Sequence, residues 1–350
     1  MNKDRKKLAC LLVAAIVAVI LAISTLRKDP SVEIKYTRLM MGTVVEIILN
    51  GYSEQVIKDA ADAGFAEIKR LESLMSHYQD SSDVSKINKG AGIESVMVSP
   101  EVIEVVETSR RISEMSSGAF DITMGVLGSV WHFTKDDGGE LLPPAGEEVT
   151  PLLKLVNFNQ VIVDRDALTV KLAKEGMRIN LGGVAKGYIV SKAVDAVKRK
   201  GIKKGIIQAG GDMFMFNETD DKPFRIGIRN PREENKVIGT IDITNAATAT
   251  SGDYERFFTK DGVRYHHIID PKTGFPAGKV QSVTIVAKDG TMADAVSTAV
   301  FVMGKEEGMK LIEKLPDAEG LIIDADGNIT MSSGFNEYNW TAPMRLDSGS

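Results

Sequence analysis

The stretch Asn180-Leu-Gly-Gly-Val-Ala-Lys-Gly-Tyr188 says most about how this chain folds. It follows a segment typical of a strand and leads into Lys186–Lys200, whose valines and alanines recur at helical spacing. Gly182 and Gly183 let the backbone approach a ligand closely, and the helix N-terminus offers unpaired N–H groups to an anion. With Lys186 in the first turn, the stretch predicts a phosphate-binding loop, although it is neither a Walker A loop nor a dinucleotide-binding GxGxxG. The alternative is a glycine turn that only starts a helix.

Strands and helices occur in clusters around this stretch without strict alternation, which favours the α+β class with mixed or antiparallel sheets and packed helices. Helical spacing of apolar residues predicts helices at Gln55–Met75, Pro100–Met115, Lys186–Lys200 and Thr291–Met303. Short apolar and β-branched runs predict strands at Val44–Leu49, Gln160–Asp164, Leu168–Leu172, Gly205–Gln208, Met213–Phe216, Phe224–Ile228, Val237–Ile243, Val263–Ile269, Val280–Val286, Leu321–Asp324 and Asn328–Met331. Residues 37–340 are expected to form the folded domain, with Lys135–Thr150 as an exposed insertion rich in Gly, Pro and acidic residues.

The N-terminus resembles a membrane anchor. Leu8–Leu26 is a run of 19 uncharged residues, which at ~1.5 Å per residue nearly spans a ~30 Å hydrocarbon core. Basic residues before the run should stay cytoplasmic, which places everything after Lys28 outside the cell membrane. We therefore predict an anchor over residues 1–28 and a linker over residues 29–36. A cleaved signal peptide is the alternative, because Ala22-Ile23-Ser24 offers small residues at a cleavage position; the flanking charges disfavour a buried core helix.

Charge and cysteine content exclude several classes of function. The formal net charge is −5, yet residues 1–28 are basic, so the rest of the chain carries 37 basic and 47 acidic residues. A nucleic-acid binder needs a basic face, which disfavours that class. The single cysteine, Cys10, lies in the apolar run, so the remainder has no disulfide, thiolate metal site or cysteine nucleophile.

A carboxylate and a hydroxyl lie one helical turn apart in the stretch Thr291-Met-Ala-Asp-Ala-Val-Ser-Thr298. Asp294 and Thr298 are spaced i and i+4, so they lie on one helix face and can share a hard cation such as Mg²⁺. The alternative is that Thr291 caps the helix and Asp294 merely completes the cap. That alternative leaves Thr298 unexplained.

Two of the four histidines lie side by side at the end of a predicted strand, before the turn Asp270-Pro-Lys-Thr-Gly274. Strand alternation puts His266 and His267 on opposite faces, so one of them can face a cleft. A structural histidine is the alternative. Gly210-Gly-Asp212 permits close backbone contact or is a simple hairpin turn.

Taken in order along the chain, these motifs resemble the ApbE family of FAD:protein FMN transferases. The resemblance covers about residues 36 to 305 and is carried by Met41-Gly-Thr43, His77-Tyr78, Gly118-Ala-Phe-Asp121, Asn180-Leu-Gly-Gly-Val-Ala-Lys-Gly187, Gly210-Gly-Asp212, Thr250-Ser-Gly252, His267-Ile-Ile-Asp-Pro-Lys-Thr-Gly274 and Ala293-Asp-Ala-Val-Ser-Thr298. It implies an ApbE-like fold and an enzyme that transfers FMN from FAD to a Ser or Thr hydroxyl of an acceptor protein, releasing AMP. The implied acceptor is an extracytoplasmic electron-transfer protein with a short Ser/Thr flavinylation motif.

The resemblance also implies roles for individual residues. It implies contacts with FAD at Met41, Tyr78, Ala119, Phe120, Asp121, Asn180, Lys186 and Ile268. It implies Mg²⁺ ligands at Asp294, Thr298 and the carbonyl of Gly183. Many members of the family have Asp where this chain has Asn180, and a neutral amide there predicts weaker metal affinity if that position helps to hold the cation.

With this resemblance, the motifs fit one reaction. The pyrophosphate of FAD would lie over Gly182 and Lys186, Asp294 would serve the metal, and His267 would take the proton of the acceptor hydroxyl. The aromatic ring of Tyr78 could stack on a flavin or adenine ring. Three alternatives are a Mg²⁺-dependent FAD pyrophosphatase, a non-catalytic FAD-binding redox protein and a structural membrane-tethered module.

Overall fold

This computed structural model describes residues 31–134 and 141–342. Its largest element is an eight-stranded antiparallel sheet. The strands are β1 (Val32–Met40), β2 (Thr43–Gly51), β3 (Val96–Met97), β4 (Val161–Asp164), β5 (Thr169–Leu172), β6 (Lys204–Ala209), β7 (Asp212–Asn217), β8 (Phe224–Arg229), β9 (Val237–Ile243), β10 (Ala246–Gly252), β11 (Phe257–Lys260), β12 (Val263–His266), β13 (Val280–Ala287), β14 (Ala318–Asp324) and β15 (Ile329–Met331). The order in the large sheet is β1-β2-β6-β7-β10-β13-β14-β15, and each neighbouring pair is antiparallel. Three small sheets, β3-β5-β4, β8-β9 and β11-β12, complete the strands.

Helices cover one face of the large sheet. The helices of the described residues are α1 (Glu54–Met75), α2 (Asp83–Lys89), α3 (Pro100–Met115), α4 (Gly146–Leu153), α5 (Ala185–Lys198), α6 (Gly290–Met303) and α7 (Lys305–Ile312). Of these, α1, α5, α6 and α7 pack on the large sheet. Helix α1 packs on α5, α5 packs on α6, and α6 lies over β10 and β13. The hairpin β8–β9 packs on the other face, so β13 is buried along its whole length. This double cover explains why Val280–Ala287 is mostly apolar instead of alternating.

The α+β class and the antiparallel sheets predicted from the sequence are confirmed, and most predicted elements are present within a few residues of their predicted ends. The linker prediction for residues 29–36 is wrong from Val32 onward, because Val32–Met40 forms the edge strand β1. Exposure alternates along much of β1 with the period of two that is typical of a strand. Charged side chains on this edge strand hide that period in the sequence. The predicted anchor, residues 1–28, lies outside the described residues. No helix in the described ranges combines the length and apolar character needed to cross a bilayer.

Three further elements differ from the prediction. The central strand β10 was missed because Ala246-Ala-Thr-Ala-Thr-Ser-Gly252 contains no large apolar residue; its small side chains let α6 lie directly on it. The predicted strand Val263–Ile269 ends at His266. Within the predicted insertion, residues 135–140 are outside the described ranges, and the remainder leads into α4, whose Val149 is buried.

Candidate active site

Two glycines bring the first turns of α5 and α6 together. A Cβ at Gly187 would overlap the carbonyl oxygen of Gly290 and would come within 2.8 Å of the Cβ of Asp294. A Cβ at Gly290 would stand 2.6 Å from the carbonyl oxygen of Gly187. Only glycine permits this crossing, which sets the N-terminus of α5 directly against the Asp294 side chain.

Asp294 lies buried at this crossing. Its Oδ2 accepts the backbone N–H of Gly187 at 3.0 Å, and its Oδ1 lies 3.7 Å from Nζ of Lys186. Lys186 also forms an ion pair with the buried Asp212, at the start of β7. Burial and the nearby charge of Asp212 raise the pKa of Asp294 to about 7, against the opposing effect of Lys186. For Lys186, burial disfavours the charge, but the two carboxylates outweigh burial and raise the pKa of the ammonium.

Asp294 is not part of the helix cap. The N-cap of α6 is Asp289, whose side chain accepts the N–H of Thr291 at 2.8 Å. Asp294 therefore lies beyond the first turn, and the interpretation that Thr291 and Asp294 form the cap is wrong. A buried carboxylate without a capping role is left for a different function.

Hydroxyl groups lie one turn further along α6. Thr298 Oγ1 lies 3.3 Å from the position of a Cβ on Gly183, and the ring of Phe120 lies at the same distance from that position. Ser251, at the end of β10, contacts the hydroxyls of Ser297 at 2.9 Å and Thr298 at 3.3 Å. The crossing thus assembles the carboxylate, the hydroxyls and the glycine loop that the sequence separates by more than a hundred residues.

These residues fit a magnesium ion. Among the described residues, no three or more His, Cys, Asp or Glu side chains are grouped so that they could hold a metal by themselves. A metal here would therefore need a hydroxyl and a backbone carbonyl beside the carboxylate. A metal at Asp294, Thr298 and the Gly183 carbonyl would take further oxygen ligands from water or substrate, as Mg²⁺ usually does. Two buried carboxylates, Asp294 and Asp212, face one ammonium, and the excess negative charge favours a cation.

The predicted FAD contact Met41 lies at the same end of the large sheet. Met41 and Gly42 both have positive φ, 54° and 67°, and form the tight turn between β1 and β2. The adjacent Thr43 lies against the Gly210 turn that precedes Asp212. The backbone N–H of Met41 donates to Glu72 of α1, which fixes the turn.

The predicted contacts Ala119, Phe120 and Asp121 form a buried loop beside the glycine stretch. Asp121 accepts hydrogen bonds from the Thr123 backbone, the Thr123 hydroxyl and the Phe158 N–H, at 2.6 to 2.9 Å. Burial raises the pKa of Asp121 against the effect of these donors. Its carboxylate therefore holds the loop that places Phe120 against Gly183.

Asn180 orders the start of the glycine stretch. Its N–H donates to the carbonyl of Ile122 at 2.8 Å, and its Oδ1 accepts the N–H of Gly182 at 2.8 Å. Tyr78 differs from these residues, since 72% of it is exposed and its ring leans on His77 at 3.9 Å. In the described part of the chain, Tyr78 is not among the residues that contact the Asp294 cluster.

The two histidines occupy different environments. His266 is buried, its Nδ1 accepts the N–H of Ile268 at 3.3 Å, and its Nε2 donates to the carbonyl of Ala277 at 2.7 Å. His267 is half-buried, and its Nδ1 lies 3.3 Å from the carbonyl oxygen of Arg256. Because a carbonyl only accepts, that contact places the proton on Nδ1 and leaves the lone pair on Nε2. Burial and the charge of Arg256 lower the pKa of His267, so the ring is neutral. The predicted FAD contact Ile268 is buried next to it.

Sequence reasoning assigned no role to Asp212, Ser251 or Ser297, although each of the three lies inside one of the motifs quoted above. A lone carboxylate after two glycines and a lone serine before one carry no signal of their own. Only the fold shows that Asp212 pairs with Lys186 and that Ser251 reaches Thr298.

The fold and this site define an α+β protein with a buried cluster suited to a divalent cation and a phosphate ester. The ApbE family model matches residues 41–322. A relative named FAD:protein FMN transferase, from Klebsiella pneumoniae (strain 342), is 30% identical over 300 residues, covering 85% of this chain and 91% of the relative. A relative of the same name from Treponema pallidum (strain Nichols) is 32% identical over 321 residues, covering 86% and 87%.

Solved structures agree. The ApbE protein of Thermotoga maritima superposes with a TM-score of 0.79 at 36% identity, covering 88% of this chain and 99% of that one. The flavin transferase ApbE of Vibrio cholerae gives a TM-score of 0.77 at 28% identity, covering 88% and 100%. This chain belongs to the ApbE family, and it is an enzyme of that family.

Proposed function

We propose that this chain transfers FMN from FAD to a Ser or Thr hydroxyl of an acceptor protein, in a Mg²⁺-dependent reaction that releases AMP. The observation that carries the proposal is the Asp294–Lys186–Asp212 cluster at the N-terminus of α5, beside Gly182 and Gly183. A helix N-terminus and a lysine suit the pyrophosphate of FAD, and the buried carboxylate suits a metal ion. The names of the relatives support the choice of FAD as substrate.

The residues of the chain divide the chemical work. Lys186 is one-third exposed, so its ammonium can turn from Asp212 toward a phosphate oxygen while staying near the cluster. Asp294, Thr298 and the Gly183 carbonyl would hold Mg²⁺, which when bound stabilises negative charge on the phosphoryl oxygens. The N–H of Gly187 keeps Asp294 oriented at 3.0 Å.

His267 is the proposed base. Its Nε2 takes the proton of the acceptor hydroxyl, whose oxygen forms a bond to the FMN-side phosphorus. The bond from that phosphorus to the bridging oxygen breaks, and AMP leaves with the bridging oxygen. The neutral, Nδ1-protonated state of the ring, set by the Arg256 carbonyl, is the state in which Nε2 can accept.

We also propose that the chain works on the extracytoplasmic face of the cell membrane, held by residues 1–28. Support comes from the uncharged run Leu8–Leu26 and from the basic residues beside it, of which four precede the run and two directly follow it. The proposed partner is an extracytoplasmic electron-transfer protein that carries a Ser/Thr flavinylation motif.

The test is incubation of the full chain, in detergent, with FAD, Mg²⁺ and candidate acceptor proteins. In-gel flavin fluorescence under denaturing conditions and AMP quantification are read together. AMP together with a fluorescent acceptor, abolished by EDTA and by removal of the acceptor hydroxyl, supports transfer. AMP with free FMN indicates a pyrophosphatase, and intact FAD indicates a binding protein; either result, found with every acceptor, refutes the proposal.

A further inference from the structure

The loop from Ser251 to Arg256 connects the two halves of the candidate active site. At one end, Ser251 contacts the Thr298 hydroxyl at 3.3 Å. At the other end, the Arg256 carbonyl accepts the backbone N–H of His267 at 3.1 Å and lies 3.3 Å from its Nδ1. The conformation of this loop therefore sets the histidine relative to the metal-binding hydroxyl.

Asp253 anchors the middle of this loop. It is only 7% exposed, and its two oxygens accept from the two terminal nitrogens of Arg232, each at 2.7 Å. Arg264 donates to the same carboxylate at 3.2 Å. Arg232 comes from the loop between β8 and β9, and Arg264 comes from β12, the strand that leads to His267. A two-pronged Arg–carboxylate pair fixes geometry as well as charge.

We infer that Asp253 is a positioning residue for His267. Held between Arg232 and Arg264, it fixes the loop so that the Arg256 carbonyl selects the Nδ1-protonated tautomer of His267. Without the carboxylate, two guanidinium groups face each other unneutralised, and the loop relaxes away from them. The Arg256 carbonyl oxygen then moves away from Nδ1 of His267. Both neutral tautomers of the ring become populated, and Nε2 carries the lone pair in only part of the molecules.

The direct test is the ¹⁵N spectrum of the imidazole nitrogens in the full chain in detergent. The chain has four histidines, so the signals are few enough to assign by substitution. In the wild type, His267 should show the shifts of a fixed Nδ1–H tautomer; in Asp253→Asn they should move toward tautomer-averaged values. Unchanged His267 shifts in Asp253→Asn overturn the inference.

The matched control is Asp242→Asn. Asp242 also accepts a two-pronged pair, from Nε and one terminal nitrogen of Arg225 at 2.8 and 3.0 Å, within the β8–β9 hairpin. Asp242→Asn should leave the ¹⁵N shifts of His267 unchanged. A change equal to that in Asp253→Asn would overturn the inference, because it would show that both variants act through a general loss of stability. If Asp253→Asn does not fold, Arg232→Lys is the second variant, because it keeps the charge and removes the two-pronged pair with Asp253. The same tautomer shift is expected in Arg232→Lys, and its absence counts against the inference.

A kinetic arm rests on the proposed function. Asp253→Asn should lower kcat ~10-fold through misplacement of the base, with the KM for FAD changed less than twofold. In a His267→Ala background the same substitution should cost nothing more, and an equal loss in both backgrounds overturns the inference. If the proposed function is wrong, no variant transfers flavin, while the ¹⁵N spectrum still decides the role of Asp253.

Discussion

Gly187→Ala tests whether the helix crossing builds the site. Gly187 is the third residue of α5, where Ala is favoured over Gly by up to ~1 kcal/mol, so propensity alone predicts a stabilised protein. The structure predicts the opposite, because the new methyl carbon would overlap the Gly290 carbonyl and crowd the Cβ of Asp294. Overpacking costs ~1–3 kcal/mol, and here the obstacle is backbone that cannot rotate away, so the cost lies at or above the upper end of that range.

The net expectation is a destabilisation of about 2 kcal/mol, which in a domain of about 300 residues corresponds to a Tm lower by about 3 °C. Separation of α5 from α6 also stretches the 3.0 Å contact between the Gly187 N–H and Asp294, so turnover should fall ~10- to 100-fold. Thermal unfolding followed by circular dichroism gives the first number, and flavin transfer per folded molecule gives the second.

The control is Gly146→Ala at the start of α4, where a Cβ would meet nothing within 4 Å. Its stability should stay within ~0.5 kcal/mol of the wild type. If Gly187→Ala is as stable and as active as this control, the two helices do not need the close crossing, and the reasoning fails.

Three further outcomes are expected. His267→Ala should cut turnover ~10²–10⁴-fold while FAD still binds, whereas His266→Ala, which loses two buried hydrogen bonds, should lower Tm and leave turnover per folded molecule near wild type; exchanged phenotypes would refute both roles. Asp294→Asn should abolish transfer. In EDTA the Tm of this variant should rise relative to wild type between pH ~4 and about 7, because the raised pKa of Asp294 means that the wild type loses stability as pH rises through that window. A Tm difference that does not depend on pH would refute the electrostatic account. A fragment starting at Asp29 should match the full chain on a soluble acceptor, whereas one starting at Thr37 loses half of β1 and should unfold at a lower temperature; equal Tm values would show that β1 contributes no stability.

The sequence predicted the fold class because its long helices and apolar strands have clear periods. Glu54–Met75 buries Ile57, Phe65, Ile68 and Leu71 on one face, and the spacing of these apolar residues is enough to predict the helix. The strand β10 could not be found in the same way. Its alanines and threonines are small because α6 lies on them, which is a tertiary reason that leaves no local pattern.

The candidate site was predictable in its parts and not in its assembly. The i, i+4 pair Asp294 and Thr298 follows from helix geometry alone, and both residues lie at the site that the glycine loop reaches. Asp212 shows the limit of this reasoning. Its importance comes from an ion pair with Lys186 across 26 residues, and no spacing rule connects a hairpin turn to the first turn of a helix.

Burial of Asp294 lowers the stability of the fold when no ligand is bound at the site. Asp289 already caps α6, so Asp294 adds nothing to the start of the helix. Its burial beside Asp212 leaves one carboxylate more than Lys186 can neutralise, and the raised pKa of Asp294 records that imbalance. A cation bound between Asp294 and Thr298 would remove the imbalance and stabilise the fold by its own binding free energy. Stability should therefore rise with Mg²⁺ concentration in the wild type and stay constant in Asp294→Asn, and a thermal-shift titration that shows equal responses would place the metal elsewhere.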